Sequence, residues 1–341
     1  MIEIDGSYGE GGGQILRTAV ALSAIINEDV TIKDIRRNRP KEGLKPQHLK
    51  SIETAGLICN ADIKGLFPGS TKIYFSPSEI EGFQKDIHIG TAGSIPLLMQ
   101  TIMPIAAYSS GKTELRITGG TDVAWSPSVD YVKEVTLKAL SEMGYKAGIE
   151  TIGRGYYPKG GGTATIGIMP SVLKGHHFKE HNVPPQVSGV SHCSNLPEHV
   201  AKRQADSARS LLEENGIETD IKVETGKFLS TGSGITLWSD LTGSVSIGKR
   251  GLPAEKVGAR AAQVLLEEIL SPASVDIHLA DQLIPYMGLA GKGSFTAREI
   301  TQHCLTNIHV TEQMLDVKFS INKINDRSKS KKEGVFEVVV E

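Results

Sequence analysis

Gly9-Glu10-Gly11-Gly12-Gly13-Gln14-Ile15-Leu16-Arg17 joins a glycine-rich loop to an apolar segment that runs to about residue 26 with helical spacing. Glycines leave backbone N–H groups uncovered, and with the positive end of a helix dipole behind them these donors attract phosphate. Glu10 adds a hard oxygen ligand of the kind that holds the Mg²⁺ accompanying nucleotide phosphates. Arg17 would oppose the dipole in the first helical turn, a cost that makes sense when an anion sits in front of it. The plainer reading of the string is a glycine turn capping a buried helix.

Beyond that first helix the chain reads as a strand over 30–35, a helix over 47–58 and strands over 61–64 and 72–75. The same order returns. Ile89-Gly90-Thr91-Ala92-Gly93 leads into an apolar helix through Tyr108, a strand over 113–117, a helix over 129–143 and strands over 146–151 and 163–168. A third copy begins at His278, with a helix through Leu289, a strand over 294–299, a helix from about His303, and strands over 314–324 and 336–340. This predicts an α+β fold of three pseudo-symmetric repeats, each of two helices on a four-stranded sheet. Residues 180–275 break the pattern and read as an inserted βαββα domain, leaving 1–179 plus 276–341 as the three-repeat domain. The charges of the insert helix over 201–215 suit a solvated face laced with ion pairs.

The 341 residues suffice for two domains, and 37 basic against 39 acidic residues give a net charge of −2. A nucleic-acid partner must therefore be met by a local basic patch. Three cysteines without a CxxC spacing argue for a reducing compartment, with the cytoplasm as the expectation, and against structural zinc. No apolar run is long enough to span a membrane, and the opening strand-like residues do not read as a signal peptide. His192-Cys193 with His199 lacks a fourth metal ligand at useful spacing.

One local patch is present. Residues 36–50 read Arg-Arg-Asn-Arg-Pro-Lys-Glu-Gly-Leu-Lys-Pro-Gln-His-Leu-Lys, in which Arg36, Arg37 and Arg39 offer planar forks for phosphate oxygens, and Gln47 and His48 add neutral donors. A hydrated loop packed by arginine stems is the alternative. The basic run over 327–332 is expected to be an exposed loop between the last two strands. His278-Leu279-Ala280-Asp281-Gln282 opens the third-copy helix as the glycine string opens the first, and the symmetry brings both helix starts to one central region. Gln302-His303-Cys304 repeats the Gln47-His48 dipeptide at the comparable point, which places His303 near the same cleft.

Taken together, Gly9 to Arg17, Gly119-Gly120-Thr121-Asp122, Arg154 to Gly162, His278 to Gln282 and His303-Cys304-Leu305-Thr306-Asn307 resemble, in order, the motifs of the RNA 3'-terminal phosphate cyclases. That family's fold is three related repeats with an insert before the last. The resemblance implies that ATP adenylates a histidine, AMP passes to an RNA 3'-phosphate, and the neighbouring 2'-OH displaces AMP to give a 2',3'-cyclic phosphate. It implies His303 as the nucleophile, Glu10 as a ligand of Mg²⁺ or Mn²⁺, and Gln100 with His278, Leu279, Ala280, Asp281 and Gln282 around the nucleotide. Arg17, Arg36, Arg39 and Gln47, with His48 beside them, would then hold the terminal phosphate or the triphosphate. His278 stands where some members carry tyrosine. The implied partners are ATP and RNA 3'-phosphate ends, with no membrane; the oligomeric state is open, a homodimer being one option. Two other readings remain: a non-catalytic relative serving ribosome assembly, against which His303 argues, and a small-molecule transferase built on the same repeat.

Overall fold

The computed structural model describes residues 1–180, 186–324 and 334–341, so the basic run over 327–332 lies outside the described residues. The first repeat comprises β1 (Ile2–Asp5), α1 (Gly13–Ile26), β2 (Val30–Lys33), α2 (Pro46–Ile58), β3 (Asp62–Lys64) and β4 (Ile73–Ser76). Its sheet runs β1-β2-β4-β3, with β1 and β2 parallel and the other pairs antiparallel. The second repeat has β5 (Gln84–His88), α3 (Ile95–Ala107) and β6 (Thr113–Gly119). It continues through a helix made of α4 (Val129–Tyr131), a π turn (Val132–Thr136) and α5 (Leu137–Glu142), then β7 (Lys146–Gly153) and β8 (Gly162–Met169). Its sheet order, β5-β6-β8-β7, is the same arrangement. In β6 the alternation buries Thr113, Leu115 and Ile117 and leaves Arg116 outside, so each sheet turns one face to the helices.

The third repeat is split. Its first strand is β9 (His176–His177), which lies before the insert and pairs parallel with β14 (Gly293–Ala297). The insert comes next, as β10 (Gln186–Ser194), α6 (His199–Glu213), β11 (Glu218–Gly226), β12 (Gly232–Ser239), β13 (Thr242–Ile247) and α7 (Ala254–Ile269). The third repeat then resumes with α8 (Ile277–Ala290), β14, α9 (Gln302–Met314), β15 (Phe319–Ile324) and β16 (Val335–Val340), in the sheet order β9-β14-β16-β15. Two expectations change here. The third copy begins a strand earlier than His278, and Met314 ends a helix instead of starting a strand, because the chain turns extended only at Leu315.

The insert order is βαβββα, since the segments around 234–239 and 243–248 are separate strands of a four-stranded sheet. Val187, Leu212, Ile235, Leu237, Val257 and Leu265 form a core of its own under α6 and α7. Arg203 reaches from α6 to Glu255 of α7 through two N–H···O bonds of 2.5 and 2.8 Å, an exposed pair worth little to stability.

In the three-repeat core the helices pack on each other and the sheets lie outside. α1 packs against α2, α3 and α9, while α8 packs against α3 and α9. The first helices of the repeats meet at a cavity of about 20 Å³. The residue five places after each helix start lines it, Thr18, Gln100 and Gln282, as does the residue eight places on, Ala21, Met103 and Pro285. The pseudo-threefold axis therefore passes through polar side chains.

Asp276 fixes the return from the insert. Its carboxylate accepts the N–H groups of His278 and Leu279, capping α8, together with the Tyr131 hydroxyl and the Gly243 N–H, all at 2.8 Å. Second repeat, insert and third repeat thus share one buried acceptor. Replacing Asp276 by Ala removes a helix cap, about 0.5–2 kcal/mol, and leaves two interior donors unpaired at about 1–3 kcal/mol each. Urea unfolding should show a loss of at least about 2 kcal/mol, with Asp276→Asn milder; an unchanged midpoint for the Ala variant would remove Asp276 from this role.

Candidate active site

The first helix starts without a side-chain cap. Gly12 precedes α1 with no side chain to bond the first-turn N–H groups, whereas Ser94, Asp276 and Thr301 cap α3, α8 and α9 through their side-chain oxygens. Gly9 and Gly11 sit at φ +56°, the left-handed region that glycine enters without strain. A Cβ on Gly13 would come within 2.6 Å of His48 Nε2 and 3.0 Å of an Arg17 nitrogen, so only glycine lets both side chains approach the helix start.

The loop ahead of α1 lies along α9. The Tyr8 ring stacks on His309 with centroids 3.6 Å apart, and the Gly9 backbone faces the Thr306 hydroxyl. Asn307, wholly buried, makes the junction. Its Oδ1 accepts from Gln14 Nε2 at 2.9 Å and from the Thr18 hydroxyl at 2.7 Å, and its Nδ2 donates to the Asp281 carbonyl at 2.6 Å. Gln14 Oε1 in turn accepts from Arg17 at 2.6 Å. α1, α8 and α9 are locked with their N-terminal turns together. One turn before Asn307, His303 is the second residue of α9 and is exposed to solvent.

Burial lowers the His303 pKa; Arg17, Arg39 and His278 lower it further, with Glu10 alone pulling the other way. The imidazole is accordingly neutral at physiological pH, its lone pair free. Glu10 is exposed and pairs with Arg39 through a 2.8 Å contact to Oε2. Arg17 is pushed down to about 10 by burial, with Asp281 opposing the shift, and its Nε is buried without a partner. His48 takes the Lys45 N–H on Nδ1 at 3.2 Å and is pushed down to about 3, by burial first and then by Arg17, Arg36 and Lys45. Gln47 accepts the Ser94 N–H at 3.4 Å, linking α2 to the start of α3.

Glu10, Arg17, Arg39, Gln47, His48, His278, Asp281 and His303 thus belong to one neighbourhood. Others among the expected residues are committed elsewhere. Arg36, at φ +59° and buried, directs Nη1 to the carbonyls of Lys41 and Gly43 at 2.8 and 3.2 Å, which holds the loop in shape. Leu279 and Ala280 are core residues with no exposed side chain, so they offer a ligand only backbone. Gln282 bonds the Thr136 hydroxyl and the His278 carbonyl, both at 3.0 Å. Gln100 lines the axial cavity, its Oε1 buried and unpartnered.

Sequence reading gave no role to Asp122, Asp130 and His192, whose ligand atoms lie within 4.8 Å of one another. All three are buried and close enough together to hold a metal ion. Arg154 already occupies the position a cation would take: its guanidinium pairs with Asp130 and lies 3.6 Å from Asp122, and it reaches Glu224 of the insert at 2.7 Å. His192 faces Asp122 at 3.2 Å and bonds Tyr156 at 2.7 Å. The motifs 119–122 and 154–162 thereby fasten the insert to the second repeat.

Comparison with known proteins identifies the family. The family model described as RNA 3'-terminal phosphate cyclase matches residues 8–321. Proteins named RNA 3'-terminal phosphate cyclase from Methanococcoides burtonii, Methanosarcina mazei and Archaeoglobus fulgidus are 58%, 53% and 51% identical. The matches cover 96%, 100% and 95% of this chain, and 98%, 100% and 99% of those proteins. The chain belongs to the RNA 3'-terminal phosphate cyclase family. Among its described residues no helix is long and apolar enough to cross a membrane.

Asp281 gives a test of the buried electrostatics. Burial raises its carboxyl to about 8, against the pull of Arg17 and with Asp276 adding to the rise. The folded state therefore keeps a proton that the unfolded chain releases near its ordinary value of 3.8. Stability from this group is full below about pH 4 and is lost as pH rises through about 8. Glu268, raised to about 7 by burial, slopes the same way. Asp281→Asn should flatten the decline in urea midpoint between about pH 5 and pH 8 relative to the parent; parallel profiles would mean that Asp281 ionises normally.

Proposed function

We propose that this chain converts an RNA 3'-terminal phosphate to a 2',3'-cyclic phosphate at the expense of ATP, through a histidyl-AMP and an RNA-adenylate. The observation that carries the reading is the placement of His303: a neutral imidazole at a solvent-open helix start, among Glu10, Arg17 and Arg39 and beside the uncapped first turn of α1. In the first step a His303 ring nitrogen attacks the α-phosphorus and pyrophosphate leaves. An oxygen of the RNA 3'-phosphate then attacks that phosphorus, the P–N bond breaks and the imidazole is restored. Finally the 2'-OH attacks the 3'-phosphate, AMP departs with the bridging oxygen, and the hydroxyl proton passes to solvent or to a nearby base. A phosphoramidate is labile, so histidine divides one hard transfer into two easier ones.

Arg17 and Arg39 bring positive charge to the phosphate oxygens, and Gln47 and His48 border the same approach. His278 and Asp281 are assigned to the nucleotide side. Glu10 is the carboxylate suited to a divalent cation: one oxygen is paired with Arg39, and one carboxylate plus substrate phosphates is a usual way to bind Mg²⁺. Mg²⁺ or Mn²⁺ there would neutralise charge on the α-phosphate and departing pyrophosphate.

With α-labelled ATP, the parent should form an acid-labile protein-bound AMP, and His303→Ala should form none while keeping its unfolding midpoint. His48→Ala is the internal control, because Gln47-His48 repeats the Gln302-His303 dipeptide. Label persisting on the His303→Ala protein, or mapping to a peptide containing His48, would overturn the assignment. Chemically adenylated RNA should still cyclise on His303→Ala, since that step needs no enzyme-bound AMP.

Arg39→Ala should weaken use of the RNA 3'-phosphate more than self-adenylation, by about 1.5–3 kcal/mol in the affected step. Equal losses in both steps, together with weaker ATP binding, would move Arg39 to the nucleotide.

A further inference from the structure

Trp125 is one of two tryptophans in the chain, and it is 99% exposed. Its backbone sits at φ +65°, a conformation that costs a bulky residue energy. The loop around it is nevertheless anchored on both sides. Thr121 and Asp122 donate their N–H groups to the Gly155 carbonyl, Val129 N–H returns to Thr121, and the Ser128 hydroxyl bonds Thr236 of the insert at 2.8 Å. The chain therefore holds a rigid, strained loop whose tip is an indole that buries nothing. A ring kept this way does not serve the fold.

Its neighbours point to the site. Ser126, the next residue, bonds the hydroxyl of Ser94, the cap of α3, and the Ser94 N–H is taken by Gln47. Gln47 and His48 open α2 beside Gly13 and Arg17. At the glycine turn over 90–93, the hairpin carrying Tyr157, 78% exposed, seats Gly160 against the Thr91 carbonyl. Two solvent-facing aromatics thus lie on segments that touch this turn or the Ser94 that follows it, and the turn also meets Gln47, which opens the helix that the cationic loop over 36–45 leads into.

We propose that single-stranded RNA, with its terminal phosphate at the Arg17 and Arg39 end, passes over the turn at 90–93 and stacks a base upstream of its 3' end on the Trp125 ring, with Tyr157 offering a second face. Cations beside exposed aromatic rings are how proteins hold single strands, and stacking accepts any base because every base has a π-face. The inference rests on the RNA reading of the site. It adds that affinity comes from nucleotides beyond the terminal phosphate and carries no base preference.

The test is an equilibrium titration of the full chain carrying Trp238→Phe, so that Trp125 is the sole indole, with a ten-nucleotide RNA ending in a 3'-phosphate. RNA should quench Trp125 emission; Trp125→Ala, followed by fluorescence anisotropy of a dye-labelled copy of the same RNA, should bind about 5- to 150-fold more weakly. Trp125→Phe should recover most of the affinity, and oligonucleotides of differing sequence should bind alike. The same RNA with abasic sites upstream of its terminal nucleotide should lose the advantage of the parent over Trp125→Ala. Parental affinity in Trp125→Ala, or quenching by ATP alone to which RNA adds nothing, would overturn the proposal. Absence of protein-bound AMP in the parent would instead overturn the cyclase reading, and because the titration reads binding it would still decide the role of Trp125.

Discussion

Three helix starts can form one site only if their axes are held together from the inside, and a single buried amide does this. Asn307 takes donors from Gln14 and Thr18 of α1 and gives one to the carbonyl of Asp281 in α8, while lying on α9 itself. In a wholly buried setting each of these groups would carry a desolvation penalty if left alone. The helices are therefore fixed in rotation as well as in distance. His303, one turn earlier on α9, and Arg17, one turn into α1, acquire their relation to each other from this bond set.

The electrostatics derive from that placement. Cations gathered by the 36–50 loop and by α1 depress the imidazoles of His48 and His303, adding to desolvation. Both side chains are kept as neutral donors and acceptors. They differ in what holds them: His48 has its Nδ1 occupied by the Lys45 N–H and faces Gly13, whereas His303 stands exposed at a helix start. Repeat-related dipeptides thus end in different surroundings, a neutral filler beside the glycine loop in one repeat and the proposed nucleophile in another.

Buried polar groups tie the insert to the rest, and two clusters stand out among them. Asp276 gathers Tyr131, Gly243 and the first turn of α8, and Arg154 gathers Asp122, Asp130 and Glu224. Breaking one partner of such a buried set leaves uncompensated charge, which is far more costly than the set is stabilising. Two of the motifs that mark the chain as a family member, around Gly119 and around Arg154, find their place in this joint and not around His303.

Much of the architecture was legible in the chain. Periodicity changes from 3.6 to 2 residues, together with glycine turns, marked the helices and most strands of three repeats, because local backbone preference and one-sided burial act over a few residues. The glycine loop announced a helix start without a side-chain cap for the same reason, since its bare N–H groups are a property of local sequence. The rest depended on distance in space. A two-residue strand, His176–His177, has no periodicity to read, and it joins its sheet only because β14 lies beside it after the insert has looped away. Arg36 looks like any phosphate-binding arginine until the turn brings the carbonyls of Lys41 and Gly43 onto its guanidinium. Gln14 and Asn307 are 293 residues apart, and Arg154 and Glu224 are 70 apart. Sequence by itself determined which segments bury a face and which residues carry charge; the tertiary structure decided which polar groups meet, because a hydrogen bond needs its partner within about 3 Å and no local pattern encodes a partner from another repeat.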